Sequence, residues 1–331
     1  MNNAFIFPGQ GSQKIGMGKD LYNSFAEARE VFDEVDDALS LKLSQIIFDG
    51  EEEKLKLTIN AQPALMCMSF AIVRVIEKML NKSLSTIGKF TAGHSLGEYS
   101  ALVSSRSIKL SDAAKILRLR GESMQSAVPV NIGAMAALIG VDIDIIHKIR
   151  SNYIDNNEVL DIANDNSPGQ MVISGHNTAV EKVIADYKSL GIKKAIKLPV
   201  SAPFHCRLMQ KAAEDMEGHI NALNVISPNM ILINNVDATP ITDPFKIKES
   251  LIKQITETVR WRESIQNMCE LGSSYFIELG AGNVLSGLVK RINKNVKSIS
   301  IQNIDDIENF VNNLERSYFL IYKSFNVQFK K

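Results

Sequence analysis

Cysteine is scarce in this chain of 331 residues: Cys67, Cys206 and Cys269 are odd in number and far apart, which excludes a disulfide framework. Histidine is scarce too, five in all, and none stands at metal-ligand spacing from cysteines or carboxylates, so no metal is expected. No excess of one charge exists, because 37 Lys and Arg balance 37 Asp and Glu; nucleic acid is therefore not an expected partner. No apolar run approaches the roughly 18 residues needed to cross a bilayer, and Met1-Asn2-Asn3 lacks the basic start of a signal peptide. A cytoplasmic, monomeric protein without membrane contact is the expectation. Two glycine-rich loops fail the dinucleotide fingerprint at its third glycine. Lys14 stands there after Gly9-Gln10-Gly11, and Leu285 after Gly280-Ala281-Gly282.

The feature that is present is Gly93-His94-Ser95-Leu96-Gly97-Glu98, a Gly-x-Ser-x-Gly elbow. Such an elbow lifts a serine hydroxyl out of a tight strand-to-helix turn, where a Cβ at either flanking glycine would crowd its neighbours. Residues Ile87 to Ala92 read as the strand before it, and a helix is expected from Glu98. Ser95 then sits at a helix N-terminus, where free N–H groups can hold developing negative charge. Near the start of the chain Ala4-Phe5-Ile6-Phe7 reads as a buried strand ending in Pro8-Gly9-Gln10-Gly11. That loop lets the main chain approach a reacting atom, so the N–H groups of Gln10 and Leu96 make a candidate two-donor oxyanion hole.

A serine hydroxyl needs a base. His94 adjoins Ser95 but points elsewhere in a tight turn, His147 and His219 read as surface positions, and His176 follows a hairpin strand. His205 stands after a proline-bearing loop at a helix start, where it can be aimed into a cleft; as an isolated histidine a structural role remains open. Arg120 shares the helical stripe of Ala113, Ile116, Leu117 and Met124, whereas Arg118 falls on the polar face. An arginine on an apolar stripe needs an anionic partner, either a carboxylate of the fold or a substrate carboxylate gripped by its fork. Cys206 reads as core.

Strands alternate with helices along the chain, which argues for α/β architecture with a mostly parallel sheet. Helices are expected over Lys19–Ala38, Pro63–Leu80 with Pro63 in the first turn, and Asp112–Ala127. After Pro129-Val130-Asn131 the order becomes βαββαβ, with Asn164-Asp165-Asn166-Ser167-Pro168-Gly169 as the middle hairpin turn. This predicts a large α/β domain over 1–128 and 199–331, and an inserted ferredoxin-like domain over 129–198.

Four segments taken in order, Phe7-Pro8-Gly9-Gln10-Gly11-Ser12-Gln13, the elbow, Leu119-Arg120-Gly121-Glu122-Ser123-Met124-Gln125 and Ser201-Ala202-Pro203-Phe204-His205-Cys206, resemble the malonyl-CoA:acyl-carrier-protein transacylases. The resemblance runs from Phe5 to about Asn303. It implies an α/β-hydrolase-like large domain, Ser95 as nucleophile, His205 as acid/base, and Arg120 on the malonyl carboxylate. It places Met124, Phe204 and Gln254 with the substrate, and implies that main-chain carbonyls near Gln254 orient His205. Malonyl-CoA is then a substrate, no cofactor is needed, and an acyl carrier protein is the partner. Lys193, Lys194 and Lys197, or Lys290, Arg291 and Lys294, are candidate contacts for that acidic partner. A serine hydrolase would share the elbow but place an acid behind its histidine; a polyketide-pathway acyltransferase would share every motif; a silent docking protein would lose Ser95 or His205. The chain departs from the family at Ser105-Arg106-Ser107, where a small residue and glycine are frequent, and at Thr258-Val259-Arg260, which lacks a frequent proline. The apolar tail Tyr318–Phe325 extends past the family's usual end and is expected to pack on the large domain.

Overall fold

The computed structural model describes residues 2–129, 131–152, 155, 157–200 and 202–328, with main chain alone for 152 and 317–328. Val130, Ser201 and the packing of the Tyr318–Phe325 side chains lie outside the described residues. Ten strands occur among them: β1 Asn3–Phe7, β2 Phe90–Gly93, β3 Gly133–Ile139, β4 Leu160–Ser167, β5 Gln170–His176, β6 Lys194–Lys197, β7 Ile231–Ile233, β8 Pro240–Ile241, β9 Tyr275–Leu279 and β10 Lys297–Ile301.

They form two sheets. The larger runs β10-β9-β1-β2-β7-β8, parallel except for β8. Every residue of β1 is buried. A central parallel strand covered on both faces needs a continuous apolar run rather than an alternating one, and Ala4-Phe5-Ile6-Phe7 supplies it. Phe5 and Phe7 pack into one core cluster, Ala4 and Ile6 into another on the opposite face. Phe7 pairs with Gly93, so the loops that leave β1 and β2 emerge side by side at the carboxyl edge of the sheet, where parallel α/β sheets place their ligands.

The smaller sheet runs β4-β5-β3-β6 and is antiparallel. Its strand β3 shows how one pleat serves two cores. Ala134, Ala136 and Leu138 pack with the helices Ile143–Asn152 and Asn177–Asp186, whereas Met135 faces the main core.

Several sequence expectations change. The helix expected from Pro63 begins at Thr58, so Pro63 lies inside Thr58–Leu80. Thr58, Asn60, Ala61 and Gln62 are all buried, and packing of that extra turn outweighs the one hydrogen bond a proline removes. This helix, 23 residues long, is also long and apolar enough to cross a membrane, contrary to the reading of the apolar runs, but 89% of its most apolar window is buried inside the protein. The Lys19–Ala38 stretch is two helices, Lys19–Ser24 and Ala26–Leu39, because Phe25 is extended. β2 starts at Phe90 rather than Ile87, whose place is taken by the end of a short 3-10 turn. The hairpin turn is shorter than expected: β4 runs on to Ser167, leaving Pro168-Gly169 as the connection. Asn164, Asp165 and Asn166 are buried strand residues because distant partners hold the side chains of Asp165 and Asn166 and Val259 bridges the backbone at Asn164. Asp165 takes a bidentate bond from Arg262, Nη2 to Oδ2 at 2.7 Å and Nε to Oδ1 at 3.0 Å, while its N–H donates to Val259 O and the Val259 N–H to Ala163 O. The Val259 donor is one that a proline there could not offer. Arg106, in the segment where the family often has glycine, has φ 62°, the left-handed region glycine favours.

Candidate active site

The elbow has the expected form. β2 ends at Gly93, the helix Gly97–Ser104 begins two residues after Ser95, and Ser95 itself has φ 54°. A Cβ on Gly93 would lie 1.9 Å from the Gly97 carbonyl, and one on Gly97 would lie 2.3 Å from the Phe7 carbonyl oxygen. Only glycine at both positions lets the turn close against itself and against β1. A non-glycine residue at positive φ is strained and persists only where its surroundings over-determine it. Here Asn235 Oδ1 accepts the Ser95 N–H at 2.8 Å, Asn235 Nδ2 donates to Gly93 O at 2.7 Å, and Gln254 Nε2 donates to Ser95 O at 3.0 Å.

Ser95 opens on a cleft of about 400 Å³ lined by Gln10, His94, Leu96, Arg120, Met124, Asn164, Phe204 and His205 among others. The Ser95 Oγ lies 2.8 Å from His205 Nε2. His205, also left-handed at φ 57°, donates through Nδ1–H to the Gln254 main-chain carbonyl at 2.7 Å. Among the described residues no carboxylate bonds the imidazole, which is where an ordinary serine hydrolase would differ. Burial and the nearby Arg120 charge push the His205 pKa down to about 3, so the ring is neutral and its Nε2 is free to accept a proton.

Arg120 is 1% exposed. Its Nη1 donates to Gln62 Oε1 at 2.6 Å, and its Nη2 to Gln254 Oε1 at 2.9 Å and Ser95 Oγ at 3.1 Å. Among the described residues no carboxylate lies within ion-pair distance of it, and its Nε has no partner. The structural ion pair that sequence left open is therefore absent there. Arg118, on the other face, bonds Asn60 Oδ1. Both backbone donors of the candidate oxyanion hole border the cleft beside Ser95. Among the described residues the N–H groups of Gln10 and Leu96 take no acceptor, while the Gln10 side chain is tied to Thr58 Oγ1 at 3.0 Å.

All eight singled-out residues thus meet here. Seven line the cleft, and Gln254 lies fully buried behind it, touching Ser95, Arg120 and His205. His94 turns away from the serine as expected: its Nε2 pairs with Asn166 Oδ1 at 2.9 Å and its ring lies 5.7 Å from that of Trp261. Cys206 is buried, with Sγ on Pro203 O. Sequence reading missed Gln62, Asn235, Glu98 and Asn166. An amide inside an apolar helix marks Gln62, and an acid beside Tyr99, Ala101 and Leu102 marks Glu98; nothing local marks Asn235.

Residues 4–316 match the family described as the acyl transferase domain. The malonyl CoA-acyl carrier protein transacylase of Bacillus subtilis (strain 168) is 45% identical over 305 residues, covering 92% of this chain and 95% of that protein. The crystal structure of an acyl-carrier-protein-S-malonyltransferase from Bartonella henselae superposes with a TM-score of 0.89 at 47% identity, covering 95% of this chain and all of the other (100%). A malonyl-transacylase in complex with its type II PKS acyl-carrier protein superposes with a TM-score of 0.90 at 36% identity, covering 95% of this chain and 100% of that one. The chain belongs to the acyl transferase family and, within it, to the malonyl CoA-acyl carrier protein transacylases.

Proposed function

We propose that this protein moves the malonyl group from malonyl-CoA to the phosphopantetheine thiol of an acyl carrier protein through a malonyl ester on Ser95, supplying fatty acid synthesis. The contact that carries this reading is the Ser95 Oγ itself, 2.8 Å from a neutral histidine and 3.1 Å from a buried guanidinium. A carboxylate-bearing acyl group enters with its anion on the Arg120 fork, displacing the weaker contact to Ser95. Ser95 Oγ attacks the thioester carbon while His205 Nε2 takes its proton. The carbonyl oxygen, now carrying the charge, is held by the Gln10 and Leu96 N–H groups. The C–S bond breaks and the proton returns from His205 to the CoA sulfur, so CoA leaves as a thiol. The carrier's thiol repeats the sequence in reverse: His205 takes its proton, its sulfur attacks the ester, and Ser95 leaves protonated. One thioester is exchanged for another, so the cycle needs no cofactor or metal. Met124 and Phe204 wall the acyl group; Phe204 leaves little room for branched units.

Residues 129–198 serve as an inserted ferredoxin-like domain, in keeping with the β4-β5-β3-β6 order, on a large α/β-hydrolase-like domain formed by 1–128 and 199–331. The carrier docks on a basic surface drawn from Lys193, Lys194 and Lys197 or from Lys290, Arg291 and Lys294, and the protein works as a cytoplasmic monomer. Incubation with malonyl-CoA alone tests the core of this reading. Intact mass should show one malonyl adduct, lost on adding a holo carrier protein; absence of the adduct would overturn it.

A further inference from the structure

Glu98 is fully buried in the first turn of the elbow helix, does not line the cleft, and has no part in the chemistry above. Other buried carboxylates have plain duties: Asp165 pairs with Arg262, and Glu278 accepts the N–H groups of Leu285 and Ser286 at a helix start. Glu98 is used differently. One of its oxygens, Oε2, accepts both the Gln254 side-chain Nε2 at 2.8 Å and the Asn235 main-chain N–H at 3.1 Å; among the described residues the other oxygen has no partner.

These two donors belong to the residues that hold the catalytic geometry. Asn235 clamps the strained elbow on the side leading into Ser95, accepting the Ser95 N–H and donating to Gly93 O. Gln254 is the hub of the rest. Its main-chain carbonyl holds the His205 ring, its side-chain oxygen accepts from Arg120, and its side-chain nitrogen donates to Ser95 O. The Gln254 amide must face one way. Turned over, it would set its NH2 against the guanidinium of Arg120, donor against donor, and its oxygen against Glu98. The acceptors that fix it are Glu98 Oε2 at 2.8 Å, Ser95 O at 3.0 Å and Asn235 Oδ1 at 3.2 Å. Each of the three also accepts one main-chain N–H, from Asn235, Glu98 and Ser95 respectively. Glu98 makes the shortest of the three contacts to the amide and is the one carboxylate among them.

We infer that Glu98 is a positioning residue for malonyl transfer: by reach rather than by charge, its Oε2 locks Gln254 and Asn235 and so aligns the Arg120 fork with Ser95 and His205. The inference rests on the roles proposed above for those three residues. Glutamine at 98 keeps an oxygen where Oε2 stands and removes the charge. Aspartate keeps the charge and withdraws the oxygen by one methylene. Leucine fills the space and offers no acceptor.

The test is single-turnover acylation of Ser95 by malonyl-CoA and by acetyl-CoA in wild type, Glu98→Gln, Glu98→Asp and Glu98→Leu, each checked for folding by circular dichroism and melting. Glu98→Gln should stay close to the wild-type malonyl rate. Glu98→Asp and Glu98→Leu should lose about 10²-fold with malonyl-CoA, the effect of misplacing reacting groups by about 1 Å, and about tenfold less with acetyl-CoA, which does not use the fork. If Glu98→Leu does not fold, the Gln and Asp pair alone decides. Three results overturn the inference: Gln as impaired as Asp, Asp as active as wild type, or malonyl and acetyl rates falling by one common factor. Failure of wild type itself to form an adduct would instead sink the proposed reaction, so the two failures are separable.

Discussion

Replacing Arg120 with alanine separates a dicarboxylic acyl donor from a generic one. In the resting site the guanidinium is fully enclosed and holds three neutral oxygens, on Gln62, Gln254 and Ser95, with no carboxylate within ion-pair distance among the described residues. Burial lowers the Arg120 pKa, so the arginine carries desolvation that no neighbouring anion offsets by direct contact. A malonyl carboxylate would supply that contact in the substrate complex. Truncating one partner of such a buried, hydrogen-bonded charge pair typically removes roughly 2–5 kcal/mol, or about 30- to several-thousand-fold in acylation at about 1.36 kcal/mol per factor of ten. Acetyl-CoA has no carboxylate to lose. Because Arg120 also depresses the basicity of His205, acetyl transfer should hold or rise in Arg120→Ala. Arg118→Ala loses one bond to Asn60 outside the cleft and serves as the control. The assay is quenched-flow acyl-enzyme formation with both thioesters, with thermal melting alongside. Equal losses for the two donors together with a fall in melting temperature would mean that Arg120 braces the fold, and the argument for a dicarboxylic substrate would fail.

Ser95→Ala should remain folded and show no malonyl adduct by intact mass; an adduct on that variant would place the nucleophile elsewhere. His205→Ala should lose about 10²–10⁴ in acylation rate, whereas His94→Ala, whose ring bonds Asn166, should lose much less; the reverse order would mean that the wrong histidine had been assigned. With the His205 pKa pushed down to about 3, the base stays neutral through mild acid, so acylation in the free enzyme should show no inflection near pH 6.5. The stability this depressed pKa provides is present above the unfolded value and lost as pH falls toward 3, which urea titrations at pH 7 and pH 4 would reveal. Glu98 has the opposite sign: burial raises its pKa to about 7, so stability present at low pH is lost as pH rises through 7. Glu98→Gln should therefore gain up to about 3 kcal/mol on wild type between pH 5 and pH 8; an equal difference at both pH values would refute the shift.

Local sequence determined the parts whose physics is local. The glycines at 93 and 97 stand where a Cβ has no space, the run Ala4–Phe7 is apolar on both faces because β1 is covered on both, and the spacing of Ala113, Ile116, Leu117, Arg120 and Met124 describes one buried helix face. A proline in a loop and an arginine on a stripe were enough to single out His205 and Arg120, and resemblance across four segments gave them roles. Tertiary structure decided what those groups touch. Residues that bond across 58, 140 and 159 positions, Arg120 with Gln62, Ser95 with Asn235, and Ser95 with Gln254, leave no spacing pattern to read. The same holds for Asn164 to Asn166, whose composition reads as a turn. In isolation a polar run competes with strand pairing by bonding to its own backbone. Here Val259, Arg262 and His94 offer partners from distant parts of the chain, and the strand continues. Pro63 sits inside a helix for a similar reason, since burial of the turn before it exceeds the loss of a single backbone bond. Local preferences of these residues amount to about a kcal/mol or a few apiece, and long-range packing and hydrogen bonds of comparable size decide between them only once the whole chain is folded.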